Sequence, residues 1–320
     1  IFERANELQN AEKFLQAIPL YEEALYTREL HLPTDDARII EVVFAMGENY
    51  AKLRDFDRAL DYYQLTVDYT IDQSGYTSLQ VSDALQHLVK NFMNMGRVLD
   101  AHDALTQSID IRVDVLGDSD VGMIPLYIKN TKSLLLLSKV QDAKYNADRA
   151  YAIAFKAYGN KNVDTAHAIM AKAEVFVEMG KYVEAKTLIE SATAMRRNLL
   201  GAKDPSVAEG LVIMGLMFMQ LANYSEGERV LRQAREIYLE VNPNIDENMP
   251  VMQIRFLLAN IELTMGNIHY ALKEHYNLLN ARVKFLYLDH YLIGDSYQAL
   301  AEIYTSLLGQ YDVAQALLSK

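Results

Sequence analysis

His269 and His275, in the segment HYALKEH, come nearest to a metal-binding signature in this chain of 320 residues, and their spacing defeats it. A zinc-hydrolase helix needs two histidines one turn apart so that both rings reach one ion; six residues carry the second ring to a different face. The pair therefore reads as ordinary helix-face histidines. Asp118 and Asp120 in GDSDVG have the alternate spacing of a calcium loop, but its remaining oxygen ligands and its closing bidentate Glu are missing. The Met-Gly pairs ending at Gly96, Gly180 and Gly266 make no phosphate-cradling loop, because each marks the same place in a repeat. Cysteine is absent, which excludes a disulfide framework and thiolate zinc sites. No catalytic constellation, cofactor or metal is expected, and the chain reads as a protein without enzymatic activity.

His87, Lys90, Lys129 and Lys132 offer chemistry of another kind, a basic group that could accept an acidic segment or a terminal carboxylate. Around them the chain is acidic, with 43 Asp and Glu against 31 Lys and Arg and a net charge of -12. A protein that covers nucleic-acid phosphates needs a broad excess of cations, so no nucleic-acid partner is expected. No run approaches 18 uninterrupted apolar residues and no leader opens the chain, so no membrane partner is expected and cytoplasm is the default location. A start at Ile1 without Met, and a close at Lys320 inside the helical pattern LLGQYDVAQALLSK, predict a piece of a longer chain.

The elements that would position these side chains are long helices, since 14 Gly and 6 Pro are too few to punctuate many short strands. Self-comparison organises them. Small residues recur at Ala17, Ala59, Ala101, Ala143, Ala185, Gly227, Ala271 and Ala314, at intervals of 42 except for the last two, 44 and 43. Three positions before each stands a bulky apolar residue: Phe14, Phe56, Val98, Val140, Tyr182, Tyr224, Ile268 and Tyr311. Five positions before each lies a turn position: Glu12, Arg54, Gly96, Ser138, Gly180, Ala222, Gly266 and Gly309. Each repeat is thus helix, tight turn, helix, with the small residue where the two helices approach most closely. The second helix of repeat five shows the period: Tyr182, Ala185, Leu188, Ile189, Ala192, Met195 and Leu199 form an apolar stripe at steps of three and four.

This pattern resembles the tetratricopeptide repeat, lengthened by about one helical turn in each helix. The connection LGAKDPSVA, Leu200 to Ala208, is similar to the inter-repeat segment of kinesin light chain and its relatives, with LGDSDVG and YGNKNVDTA as degraded copies. Pro205 is expected in the first turn of a helix capped by Asp204. The resemblance implies an all-α solenoid of about eight antiparallel helix pairs wound into a right-handed superhelix. One tandem array over 1–320 is expected, with repeats at about 1–34, 35–76, 77–118, 119–160, 161–202, 203–246, 247–288 and 289–320. It further implies a protein-binding scaffold or adaptor, with cytoskeletal transport or a ciliary complex as the setting. The alternative is a regulatory receptor that binds a peptide in its concave groove. The paired Asn of that family's inner helix are missing from IKNTKSL and LVIMGLM, so its peptide-clamping residues do not carry over.

In such an array the first helices line the concave side, and equivalent positions form rows along it. One row reads Asn6, Glu48, Lys90, Lys132, Glu174, Leu216 and Asn260; a second contains Phe44, Met170, Val212 and Phe256, and a third Met93, Val177 and Met219. The candidate partner-binding residues are therefore Phe44, His87, Lys90, Lys129, Lys132, Met170, Leu216, Met219, Phe256 and Asn260. Two alternatives stand beside this: Glu48 pairs with Lys90 and Lys132 with Glu174, at about 0 to 1 kcal/mol each, and the apolar rows are packing within the array. The first helix of repeat six, EGLVIMGLMFMQL, is apolar on nearly all sides, which predicts cover from a partner chain or a further segment.

Overall fold

The computed structural model describes residues 1–33, 35–245 and 248–320. The expected repeat boundaries at Thr34 and at Asp246 and Glu247 lie outside the described residues. Among those described, the chain is sixteen helices and no strand. First and second helices alternate: α1 (Phe2–Asn10) and α2 (Phe14–His31), α3 (Ala37–Lys52) and α4 (Phe56–Ser74), α5 (Leu79–Met95) and α6 (Val98–Leu116), α7 (Met123–Leu136) and α8 (Val140–Tyr158). They continue as α9 (Val163–Glu178) and α10 (Tyr182–Leu200), α11 (Pro205–Gln220) and α12 (Tyr224–Val241), α13 (Met249–Thr264) and α14 (Ile268–Phe285), and α15 (Tyr291–Ser306) and α16 (Tyr311–Leu318). The fold is an all-α solenoid of tetratricopeptide-like helix pairs.

The register of small residues works as the sequence implies. All eight are buried, and the bulky residue three positions earlier begins the second helix in every pair. All eight turn positions are left-handed: Glu12, Arg54, Ser138 and Ala222 at φ 55 to 64°, and Gly96, Gly180, Gly266 and Gly309 at 64 to 89°. That conformation lets the helix close on itself. In repeat three, Gly96 N–H donates to Met93 O at 3.1 Å and Arg97 N–H to Phe92 O at 2.9 Å, satisfying carbonyls that the helix end would otherwise leave open. The same pair of bonds closes the first helix of the other repeats up to the seventh, whether or not the left-handed residue is Gly.

Starts of first helices follow their caps. Asp204 accepts from Ser206 N–H at 2.8 Å with Pro205 in the first turn, and Asn162 accepts from Asp164 N–H at 2.7 Å. Asp120 plays a comparable part, accepting from Gly122 N–H at 2.7 Å, so the calcium-like loop is used as a turn ahead of α7.

By internal packing the chain divides into two units, Ile1–Leu126 and Tyr127–Lys320. In the first, Tyr21, Val42, Met46, Tyr63, Val81 and Leu85 share one core. Gly47 allows it: a Cβ there would lie 2.9 Å from the Tyr63 ring, so only glycine lets that ring lie flat on α3. Gly215 does the same in the second unit, where a Cβ would lie 2.6 Å from Leu231 Cγ. In the second unit α11 touches α9 and α13 as well as α10 and α12, so its first helices form the more closely packed layer. This explains the all-round apolarity of α11. Leu211, Val212, Leu216 and Met219 pack with α12 and α13, and Met214 and Phe218 pack with α9 and α10. Four neighbouring helices of the chain itself thus cover α11 in part, because a helix in the middle of an array has partners on both sides, and Leu211, Val212, Met214, Leu216, Phe218 and Met219 remain half-buried.

Candidate partner-binding face

In the first unit, α3 carries Phe44 and Glu48 one turn apart, and α5 carries His87 and Lys90 beside them. The Tyr63 hydroxyl donates to Glu48 Oε1 at 2.6 Å, and His87 Nδ1 lies 3.6 Å from the same oxygen. Phe44 meets the His87 ring edge-on at 4.5 Å, and Tyr63 stacks on that ring from 5.8 Å. Contact with His87 contributes most to holding the Glu48 carboxyl down at about 2; burial opposes it, while Tyr63 and the nearby Lys90 charge assist. Burial, and then Glu48, push the Tyr63 phenol up. Phe44 and His87 are thus brought together, Glu48 is shared by His87 and Tyr63, and Lys90 stays exposed.

The second unit holds the larger arrangement. Lys132 of α7 pairs with Glu209 of α11, a helix two repeats further on. Arg196 of α10 is 2% exposed, and its Nη1 donates to Glu209 Oε2 at 2.8 Å and to Ser206 O at 2.6 Å. Burial alone would raise the Glu209 carboxyl; Lys132 and Arg196 outweigh it and hold the group at about 2. Glu174 of α9 lies within the same field. It is half-buried, but its Oε2 is sealed from solvent with no hydrogen-bond partner among the described residues. Burial pushes this carboxyl up to about 7; Lys132 offsets part of the rise, and Glu209 and Glu178 add to it. The Tyr238 phenol is raised by burial and then by Glu209, and burial lowers the His167 imidazole.

Met170 is buried in the apolar core of α9, α10 and α11, next to Gly210. At Gly210 a Cβ would collide with Thr193 Oγ1 and lie 2.8 Å from Met170 Cε, so α11 approaches α9 and α10 closely there. Leu216, Met219 and Phe256 belong to a separate apolar cluster, each half-buried, and Asn260 follows one turn after Phe256 on α13. Phe256 is also committed to packing: Arg282 lies over its ring at 4.8 Å and His275 meets it edge-on at 5.3 Å. Lys129 is exposed on α7. The sequence groups His87 and Lys90 with Lys129 and Lys132; the first pair lies in the first unit and the second pair in the second. The partner of Lys132 is Glu209 and not Glu174, and Glu48 accepts from Tyr63 and lies 3.6 Å from His87.

Sequence reasoning missed Arg196 and Glu209. A signal for the first was present. Eleven positions after the small residue, Arg28, Arg112, Arg196 and Arg282 recur in repeats one, three, five and seven. Arg28, Arg196 and Arg282 each donate to a backbone carbonyl ten residues on, at Arg38, Ser206 and Leu292, tying a second helix to the start of the next first helix. Arg112 instead bonds Ser82 Oγ at 2.8 Å and pairs with Asp83. Elsewhere, His269 is exposed and His275 is buried, on different faces as expected. No group of three or more His, Asp or Glu side chains that could hold a metal occurs among the described residues, and no described helix is long and apolar enough to cross a membrane.

Comparison with known proteins places this architecture. No protein-family model and no curated protein matches the chain. Solved structures do. A Rap protein complexed with competence and sporulation factor is similar over 99% of this chain and 94% of its own, with a TM-score of 0.61 at 14% identity. BtubC (BKLC) from P. vanneervenii is similar over 72% of this chain and 92% of its own, with a TM-score of 0.56 at 16% identity. The nearly identical repeats of a putative kinesin light chain from Podosopora anserina are similar over 62% of this chain and 94% of their own, with a TM-score of 0.55 at 16% identity. At these identities the likeness is one of fold, and the chain has the fold of tetratricopeptide-like repeat proteins.

Proposed function

We propose that this chain is a protein-binding scaffold or adaptor without enzymatic activity, and that it holds a segment of a partner against its first helices. One observation carries the reading. In the second unit Lys132 pairs with Glu209 in the layer of first helices, with Arg196 buried behind it, and on the same helix as Glu209, two to three turns further on, Leu216 and Met219 are left half open by the chain's own packing. Fixed charges orient a ligand while adaptable Met and Leu surface supplies affinity. We also take the eight helix pairs as one tandem array in the cytoplasm, and cytoskeletal transport or a ciliary assembly as its setting, a reading supported by the likeness to a putative kinesin light chain. Affinity capture with the intact chain, followed by identification of what is retained, tests it. Leu216→Ser with Met219→Ser should abolish capture, whereas Val183→Ser, at a residue 80% exposed on a second helix, should leave it intact. Capture unchanged by the first pair would refute the assignment of the face.

A second reading is a receptor for an acidic peptide. Lys132 favours it, because its side chain remains 45% exposed while paired with Glu209, and the Rap protein of the same fold is complexed with a factor. Replacing Lys90, Lys129 and Lys132 with Ala should then abolish peptide binding, and binding to the original chain should weaken as salt rises. Affinity unchanged by these substitutions would remove this reading.

A further inference from the structure

A cleft of about 360 Å³ opens in the first unit between α4 and α6, with α5 as its floor. The floor residues Val81, Leu85, Leu88 and Phe92 lie on the opposite side of α5 from His87 and Lys90, since 3.6 residues per turn separates the two sets by about half a turn. The cleft is therefore distinct from the first-helix face. Its volume is at the small end of ligand sites and fits one or two side chains.

Charge selects the occupant. Of the carboxylates on the two wall helices, Asp68, Asp100 and Asp103 line the cleft, whereas the arginines of the same helices, Arg58 and Arg112, are not among its lining residues. Both arginines are engaged elsewhere, Arg58 with Asp55 and Arg112 with Asp83. At the rim, Asp68 receives only a hydrogen bond from Gln64 at 3.1 Å, and Asp103, exposed, has no ion-pair partner among the described residues. A phosphate-bearing or acidic ligand is repelled here. The chain itself displays the complementary chemistry: Arg97 lies 4.8 Å over the Phe92 ring while its Nε donates to Asp100 at 2.7 Å.

We propose that this cleft docks a short partner segment in which one large apolar side chain, flanked by Lys or Arg, enters between α4 and α6. The apolar side chain meets Val67, Ile71 and Leu88, and the flanking cations reach Asp68 and Asp103 from the two walls. Two exposed ion pairs, each weak, together with a buried aromatic predict micromolar to millimolar binding that falls with salt.

The test uses the full chain and a fluorescent, end-blocked peptide, Arg-Arg-Phe-Arg-Arg, followed by anisotropy. Saturable binding is expected, with a loss of up to about thirtyfold for the double substitution Asp68→Asn and Asp103→Asn. A similar loss is expected for Ile71→Ser, and for the peptide with Ala in place of Phe. All these substitutions are at exposed or half-buried positions, and an unchanged melting curve verifies the fold. No binding at about 1 mM peptide, or equal binding of the Ala peptide and to the two variants, would overturn the proposal. So would a concentration-dependent dimer dissolved by the same substitutions, which would give the cleft to a second copy of this chain. Leu216→Ser with Met219→Ser should not alter binding of this peptide, so failure here and failure of the first-helix face are separable.

Discussion

Glu174→Gln is the substitution that most directly questions the charged centre of the second unit. In the folded chain the Glu174 carboxyl is raised to about 7 from its ordinary 4.5, because burial and the neighbouring Glu209 and Glu178 disfavour its ionised form more than Lys132 favours it. A carboxyl raised on folding contributes its full stability below the unfolded value and loses it as pH rises through the folded value. At about 1.4 kcal/mol per pH unit, the interval from 4.5 to about 7 makes ionised Glu174 a destabilising group of about 3 kcal/mol above pH 7. Gln keeps the shape, never ionises, and carries an amide in place of the unbonded Oε2. The variant should therefore match the original chain near pH 4.5 and exceed its stability by up to about 3 kcal/mol at pH 8. Urea unfolding followed by circular dichroism at pH 4.5, 6, 7 and 8 measures the difference. A gap that does not widen with pH, or an original chain that is the more stable at pH 8, would refute the reasoning.

Ala222→Gly, at a left-handed turn with φ 55°, should stabilise by about 0.5 to 1 kcal/mol. Thermal melting checks it, and a lower midpoint would show that the turn is not strained by its Cβ. Gly215→Ala drives a methyl to 2.6 Å from Leu231 Cγ and should cost about 1 to 3 kcal/mol in urea unfolding, with no loss expected from Gly294→Ala, where a Cβ meets open space. His275, fully buried with both ring nitrogens unbonded among the described residues, is held down to about 4 by burial first and Arg282 second. Its folded value lies below the ordinary 6.5, so the chain should lose up to about 3 kcal/mol as pH falls from about 6.5 towards 4. In His275→Leu that part of the acid sensitivity should vanish, which denaturation at pH 4.5 and 7 would show.

The fold was largely legible in the sequence because its determinants are local and repeated. A small residue every 42 positions, a bulky residue three before it and a turn five before it define a helix hairpin from contacts between residues near in sequence. Their recurrence then forces neighbours to stack, since one hairpin cannot bury its own apolar face. Even the unusual φ at Glu12, Arg54, Ser138 and Ala222 follows from equivalence with the glycines at the same place in other repeats.

Only the tertiary structure decided which side chains meet across repeats. The row of charges suggested that Lys132 would face Glu174, one repeat away; it pairs with Glu209, two repeats away, because the packing of α11 against α9 brings α11 within its reach. Whether Glu174 is bonded, which carboxylate Arg196 holds and how far Leu216 is covered depend on side-chain directions and on the closeness of helices at Gly210 and Gly215. Spacing along one chain fixes which face of a helix a residue occupies. It does not fix how near the next helix comes, and that distance, through burial and charge, sets the chemistry of the face.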